Sequence, residues 1–326
     1  MVSALYRRTG IAHRGSVLLE EDPGSHLVND FYPPAESLAD RGPTTKSRND
    51  RYGSEAPILA EDASAQALRC SHVGADEITH LVTVSCTGFN SPGIDIALID
   101  QLGLPATTER IQVGFMGCHG AINGLRAARG LVADSDHAKV LLCCVELCSL
   151  HYQYGLDSDQ IVSNALFADG AAAVVMGSGG SNGVVRPGAL QGTGSCLVPQ
   201  SRDAMTWRIG DNGYEMTLSA QVPSLIEQHL ESFLSHWLAR HGESIESIGG
   251  WAVHPGGSRI LSAAESALQL PPDALAVSRS VLADHGNMSS ATMQFILDRF
   301  ASLDQPKPWL MLGFGPGLEI EVALIR

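Results

Sequence analysis

Three residues of types that can run thioester chemistry sit in glycine-flanked, turn-like settings along this chain. Cys118 stands in GFMGCHGAINGLRAARG, His254 in WAVHPGG and Asn287 in DHGNMSSA. Gly117 lets the backbone turn sharply before a helix, and Gly120 keeps the first helical turn uncluttered. A thiol at a helix N-terminus meets unpaired N–H groups and the positive end of the helix dipole, both of which favour thiolate. Lowering a thiol from about 8.5 to about 6 takes roughly 3 kcal/mol. A helix dipole supplies at most about 2 kcal/mol, so a partner cation is required, and histidine is the residue for it. Of the twelve histidines, His254 is singled out because it ends a buried strand and is followed by proline and two glycines, where α/β folds gather sites. Asn287 repeats the setting of Cys118: glycine, polar residue, helix. An ordinary helix N-cap is the plain alternative for it, and is compatible with an amide aimed into a cavity. Together the three define a chemistry. The thiolate accepts an acyl group as a thioester, while histidine and asparagine donate hydrogen bonds to a thioester carbonyl and stabilise an enolate. Papain-like proteases also use Cys, His and Asn, but the CGSCW-type surroundings of that nucleophile are absent here.

The elements that must position these residues read as buried strands separated by amphipathic helices. Apolar runs at 78–86, 139–147, 171–177, 249–254, 308–314 and 319–325 are near-continuous rather than alternating, as expected of strands buried on both faces. Helical periodicity falls at 119–132, 221–240, 258–268 and 288–301. Cys86 precedes Cys118 by 32 residues and His254 precedes Asn287 by 33; Cys118 and Asn287 each precede a strand leucine, Leu141 and Leu310, by 23. This shared spacing predicts a duplication, with halves 1–178 and 183–326 divided at the breaker run GSGGSNG. Two similar sheets packed through helices give an α-β-α-β-α arrangement.

Composition bounds the rest. The chain has 326 residues, 44% of them hydrophobic and 17% charged, with a net charge of −14 and no Lys/Arg block. Nucleic acid is a poor partner for such a surface. No window reaches the roughly 18 apolar residues of a membrane span, and no signal peptide is legible, so a cytoplasmic protein is expected. The helix at 221–240 lacks the Lys/Arg-rich polar face of a membrane-seeking helix and is assigned to the core. Seven cysteines, an odd number, argue against a disulfide framework. Cys143 and Cys144 occupy a strand and so face opposite ways, which reads as apolar filler rather than a metal site.

At this point the sequence resembles the type III polyketide synthases, the chalcone-synthase branch of the thiolase superfamily. GFMGCHGA, ALFADGAAAVV, WAVHPGG, HGNMSSA and GFGPGL occur in family order across nearly the whole chain. VELCSLHYQ and MTWRIGDNGYEM resemble bacterial members that make alkylpyrones and alkylresorcinols from long acyl starters. The resemblance implies a thiolase-like αβαβα fold. It implies that Cys118 carries the starter and growing chain, and that His254 and Asn287 serve decarboxylation of malonyl-CoA and condensation. It implies acyl-CoA and malonyl-CoA as substrates, no metal or other cofactor, and a homodimer. Carried over position by position, it gives cavity roles to Cys86, Thr87, Cys148, His151, Met216 and Ser289. Contacts to CoA fall to Arg8, Gly256, Gly257 and Arg259.

Departures from the family pattern qualify this. A second gatekeeper phenylalanine of plant members has no counterpart, with Ala189 or Leu190 in its place. His119 follows the nucleophile where plant members have phenylalanine, and a neutral role is expected for it. RRTGIAHRGSVLLEE resembles a segment that normally lies about 60 residues into the chain, so the first strand of the first half and its helix are expected to be missing, leaving a gap in the middle of that sheet. The alternatives left open are a single-condensation ketoacyl synthase III-like enzyme, a chain-joining pyrone-forming ketosynthase, and an inactive truncated partner subunit.

Overall fold

In the computed structural model, residues 2–21, 27–155, 157–177 and 190–326 are described. A helix α1 (Val2–Arg8) and a two-residue ribbon, β1 (Glu20–Glu21) with β2 (Leu27–Val28), precede the first half. Its body runs α2 (Thr45–Ser71), β3 (His80–Ser85), α3 (Ile94–Leu102), β4 (Glu109–Gly114), α4 (Gly120–Asp134), β5 (Lys139–Leu147), α5 (Ser158–Leu166) and β6 (Asp169–Gly177). The second half runs β7 (Leu190–Leu197), a hairpin of β8 (Met205–Gly210) and β9 (Gly213–Leu218), α6 (Val222–Ala239), β10 (Gly250–Val253), α7 (Ser258–Leu268), α8 (Ala276–His285), α9 (Thr292–Ser302), β11 (Trp309–Gly315) and β12 (Glu319–Ile325).

Each half holds one four-stranded sheet, ordered β4-β3-β5-β6 and β10-β11-β12-β7. In the first, β3 is parallel to β4 and β5, and β6 is antiparallel to β5. In the second, β10 is parallel to β11, and β12 is antiparallel to it. Superimposing these patterns equates β3 with β10, β5 with β11 and β6 with β12, so the expected duplication is present in the topology. It also corrects one expectation. In the second sheet β7 lies outside β12; among the described residues nothing pairs with the corresponding edge of β6. The vacant strand position is therefore at a sheet edge and not in its middle.

Three apolar clusters fill the spaces between layers. Tyr52, Ala56 and Ala60 of α2 and Leu98 of α3 cover the outer face of the first sheet, meeting Leu81, Leu141, Cys143 and Val145. Ile122 and Leu125 of α4, with Met293 and Ile296 of α9, lie between the sheets, against Val84, Leu142 and Cys144 on one side and Met311 and Ala323 on the other. Leu234 and Trp237 of α6 and Leu261 of α7 cover the second sheet over Leu310, Leu312 and Leu324. The order is α-β-α-β-α, as expected. Cys143 and Cys144 indeed enter different layers, and α6 is a core helix with Ile226, Leu230 and Leu234 buried.

The strand β4 escaped the sequence reading because ERIQVG is polar and five of its six residues are exposed. The helix α2 escaped it because four of the six residues of its buried stripe are small or polar, Ala56, Ala60, Ser64 and a fully buried Arg48, leaving only Tyr52 and Leu68 as large apolar marks. The division between the halves, at residues 178–183, and Ala189 lie outside the described residues.

Candidate active site

Cys118 and His254 follow the ends of β4 and β10, and Asn287 lies between α8 and α9. Cys118 lies between β4 and α4. Gly117 takes a φ of +87°, and a Cβ there would overlap the ring of Pro316, so only glycine fits this turn. His254 leaves β10 with its amide bonded to the Leu312 carbonyl at 2.8 Å. Asn287 follows the helix α8 and is clamped by main-chain bonds to the other half. Its N–H donates to the Leu166 carbonyl and its carbonyl accepts from the Ala168 N–H, both at 2.9 Å, which makes an isolated bridge with Phe167.

His254 and Asn287 are each 1% exposed. The Asn287 amide acts on both partners, holding the Cys118 thiol toward ionisation and the His254 ring toward protonation. Its Oδ1 also accepts from the Ser289 N–H at 2.9 Å. Neither ring nitrogen of His254 has a hydrogen-bond partner of good geometry, so the ring is free to meet an incoming carbonyl. Burial, reinforced by the charge of Glu146 and opposed by the Ser289 and Asn287 side chains, pushes the Cys118 thiol up to about 12. Burial, and after it His119, pushes His254 down to about 3. Desolvation thus works against the helix dipole here, favouring the thiol of Cys118 and the neutral ring of His254.

A cavity of about 760 Å³ opens onto Cys118. Its lining includes Cys86, Thr87, Cys148, His151, Met216 and Ser289, so all six predicted cavity residues share one space. They differ in freedom. His151 has no nitrogen to spare: Nε2 donates to the Thr87 carbonyl at 2.6 Å, Nδ1 accepts from the Tyr214 N–H at 3.0 Å, and the ring stacks on Tyr214. Burial keeps it neutral, pushed down to about 3. It is a wall that ties β9 to the first half. Trp207 caps the same wall, its indole N–H donating to the Cys86 carbonyl at 2.7 Å. The Cys86 sulfur accepts from the Gly117 N–H at 3.1 Å, so it braces the turn that carries the nucleophile.

The predicted CoA contacts are not gathered in this cavity. Arg8 is exposed at the end of α1, Gly257 caps α7, and Arg259 lines a separate surface hollow with Ser224 and Glu227. Gly256 lies beside the His254 ring edge. The cation that does line the cavity is Arg14, bonded to the Asn164 carbonyl and set over the Tyr6 ring.

Glu146 is the residue sequence reading missed. It is completely buried beside the site, accepting from the Cys86 N–H at 2.9 Å, the Thr87 hydroxyl at 2.8 Å and the Ser290 hydroxyl at 2.5 Å. Its signal was present: one acidic residue inside an otherwise apolar strand, which needs a polar explanation.

A possible metal group is present in His119, Glu319 and Glu321, whose ligand atoms lie within 4.8 Å of one another. Glu321 is already held by Arg126 and by the Asn123 amide.

Comparison with known proteins places this geometry. Residues 27–180 match the family description "Chalcone and stilbene synthases, N-terminal domain", and residues 189–326 match the corresponding C-terminal domain. The chain is 38% identical over 274 residues to a 1,3,6,8-tetrahydroxynaphthalene synthase of Streptomyces peucetius subsp. caesius, covering 82% of this chain and 72% of that protein. It is 32% identical over 284 residues to the alpha-pyrone synthesis polyketide synthase-like Pks18 of Mycobacterium tuberculosis, covering 85% and 72%. The crystal structure of PKS-I from the brown alga Ectocarpus siliculosus superposes with a TM-score of 0.91 at 31% identity, over 100% of this chain and 88% of that one. The type III polyketide synthase domain of Steely1 from Dictyostelium gives 0.89 at 28%, again over 100% and 88%. With both halves matched, the chain belongs to the chalcone and stilbene synthases and is an acyltransferase of the type III polyketide synthase class.

Proposed function

We propose that this synthase loads a long-chain fatty acyl group from acyl-CoA onto Cys118. It then extends that group with malonyl-CoA and releases an alkylpyrone or alkylresorcinol. In loading, His254 takes the thiol proton as Sγ attacks the acyl carbonyl, and CoA leaves as its thiol. Malonyl-CoA then loses CO₂, and His254 and Asn287 stabilise the enolate oxygen through hydrogen bonds. The enolate carbon attacks the Cys118 thioester, the sulfur leaves, and the lengthened chain returns to Cys118 for another round. No metal or redox group has a part in these steps. The observation that carries the reading is the cavity of about 760 Å³ at Cys118, whose wall includes the thioethers of Met205 and Met216 beside Trp207, with tyrosines and polar side chains completing it. Thioethers there suit a flexible apolar chain.

The enzyme works as a homodimer on this reading. Among the described residues nothing pairs with the outer edge of β4, and Ile111 at 39%, Phe115 at 36% and Phe89 at 48% exposure stand on or near it, a face that a second copy would cover. No described helix is long and apolar enough to cross a membrane.

The 38% identity to a tetrahydroxynaphthalene synthase favours a second reading, in which the product is a fused aromatic built from small units. Product analysis by mass spectrometry with a series of acyl-CoA chain lengths and malonyl-CoA separates them. Pyrones or resorcinols bearing the starter chain support the first reading; tetrahydroxynaphthalene without any starter dependence supports the second. A single two-carbon addition would overturn both in favour of a ketoacyl synthase. The Cys118→Ala variant makes neither product.

A further inference from the structure

Arg48 has no part in the steps above, yet its side chain is completely buried. A buried guanidinium ordinarily sits against a carboxylate, because taking an unpaired charge out of water is costly. Among the described residues, the hydrogen-bond partners of Arg48 are main-chain carbonyls and one phenol instead. Nε donates to the Pro43 carbonyl at 2.8 Å. Nη1 donates to the carbonyls of Leu150 at 2.6 Å and Tyr152 at 2.9 Å, and to the Tyr32 hydroxyl at 2.7 Å. Nη2 faces the Arg41 carbonyl at 3.4 Å. Nη1 thus shares two hydrogens among three acceptors, and the planar fork is held in one orientation. An apolar side chain would fill the space at less cost, so packing alone does not account for a cation here.

The acceptors belong to segments that wall the cavity. Leu150 and Tyr152 lie in and just after the helical turn Cys148–His151, and Cys148, His151, Tyr152 and Tyr32 line the cavity. Tyr32 passes the contact on, its hydroxyl donating to the Ser149 carbonyl at 2.9 Å. The same end of α2 grips the tip of the β8–β9 hairpin. The Thr45 N–H donates to the Asp211 carbonyl at 2.8 Å. The Thr45 hydroxyl accepts from the Gly213 N–H at 2.8 Å and donates to the Gly210 carbonyl. Asn212 Nδ2 donates to the Gly42 carbonyl at 2.9 Å. Gly213, at a φ of +110°, rests on Arg48: a Cβ there would lie 3.0 Å from its Cδ and Nε. The hairpin belongs to neither four-stranded sheet, so contacts of this kind are what place it. It brings Met205, Trp207 and Met216 to the cavity.

We propose that Arg48 and Thr45 form a latch that fixes the β8–β9 hairpin and the Cys148–His151 turn against each other, and so sets the length of acyl chain the cavity admits. Neither side chain is among those lining the cavity. Arg48 is a positioning residue: it acts through Tyr32, through the carbonyls of the turn and through its stem beneath Gly213. Thr45 acts through the three main-chain groups of the hairpin tip that it bonds. The effect on chain length rests on the reading given above, that the cavity holds an acyl chain; the latch itself does not.

The test uses the full chain and two variants. Arg48→Lys keeps the charge but replaces the fork by one nitrogen, which cannot serve Pro43 and the turn carbonyls together. Thr45→Val keeps the side-chain shape and deletes both hydroxyl bonds to the hairpin; Thr45 is half-buried, so this milder change keeps the test open should Arg48→Lys fail to fold. Amide hydrogen exchange without substrate, read by mass spectrometry, is expected to run about tenfold faster over β8 and β9 in both variants, the scale of one or two lost hydrogen bonds, while β3 and β5 keep the parent rate. With a short and a long acyl-CoA competing in the presence of malonyl-CoA, the product ratio is expected to shift about tenfold toward the long starter. That ratio is taken within one sample, so a lower fraction of active enzyme, which is all a merely structural role would give, does not move it. Hairpin exchange at the parent rate in folded Thr45→Val overturns the proposal, and so does faster exchange with an unchanged product ratio. A parent protein that makes no starter-bearing product overturns the proposed function instead, and the exchange rates still decide whether the latch exists.

Discussion

Replacing Glu146 by glutamine removes the one carboxylate sealed beside the nucleophile, and the structure gives the sign of each consequence. Glu146 is fully buried and its charge helps burial to hold Cys118, Cys86 and Cys148 in the thiol form. At an effective dielectric near 20, a unit charge near a neighbouring thiol contributes on the order of 2 kcal/mol, or about 1.5 pH units. The amide of Glu146→Gln can keep its oxygen toward the Cys86 N–H and the Thr87 hydroxyl and turn its nitrogen to the Ser290 hydroxyl, which can rotate to accept. Lost charge-assisted bonds and relieved desolvation oppose each other, so the net stability change should stay within about 2 kcal/mol. The assay is the rate of Cys118 alkylation by iodoacetamide between pH 7 and 10, with the site of labelling read by mass spectrometry, beside a denaturant midpoint. The variant should label Cys118 at least about tenfold faster at pH 8. Labelling that is unchanged or slower in a folded variant would refute the claim that Glu146 sets the thiol's charge. Glu146→Ala serves as contrast: it strands the Cys86 N–H and Thr87 hydroxyl and should cost several kcal/mol, on the order of 3.

Asp169 links the segment at Val17 to Ser149, and burial pushes its carboxyl up to about 6. Because the folded value lies above the unfolded one, its contribution to stability is fully present below about pH 4 and is lost as pH rises through 6, a change of about 3 kcal/mol. Urea unfolding across that range should show this slope, and Asp169→Asn should remove it. Trp207→Ala opens the cavity wall and deletes the bond to the Cys86 carbonyl. With Trp207 only half-buried, this should cost less than the loss of a core aromatic, about 1–3 kcal/mol, and shift products toward longer or bulkier chains, read by mass spectrometry. Ile111→Glu places a charge on the open edge of β4; light scattering should then find monomer, against the dimer proposed for the parent protein.

Much of this was legible because buried strands and glycine-bound turns leave plain marks. KVLLCCVEL and EIEVALI match β5 and β12 to the residue. Cys118, His254 and Asn287 were marked by glycine and strand ends, and the cavity residues by resemblance. What was not legible depended on contacts distant in sequence. The β4 edge has no apolar signature because one side faces outward. Arg48 reads as a surface cation, yet the carbonyls of Pro43, Leu150 and Tyr152 take its hydrogens in the interior. The surroundings of Cys118 were half legible: the sequence shows the helix that favours ionisation, but not the burial that opposes it. The polar surroundings of His119 were not legible because Glu319 lies 200 residues away and meets it only through the fold.

The main-chain clamp between Asn287 and the segment Leu166–Ala168 has a bearing on how such enzymes diversify. Those bonds are made by peptide groups, so no side-chain replacement deletes them. The amide that orders the reaction centre is thereby anchored independently of the side chains that shape the chamber beside it. Selection can remodel Met216, Trp207 or Cys148 to admit a new starter while the distances that govern bond making stay put. The scaffold separates what is made from how it is made.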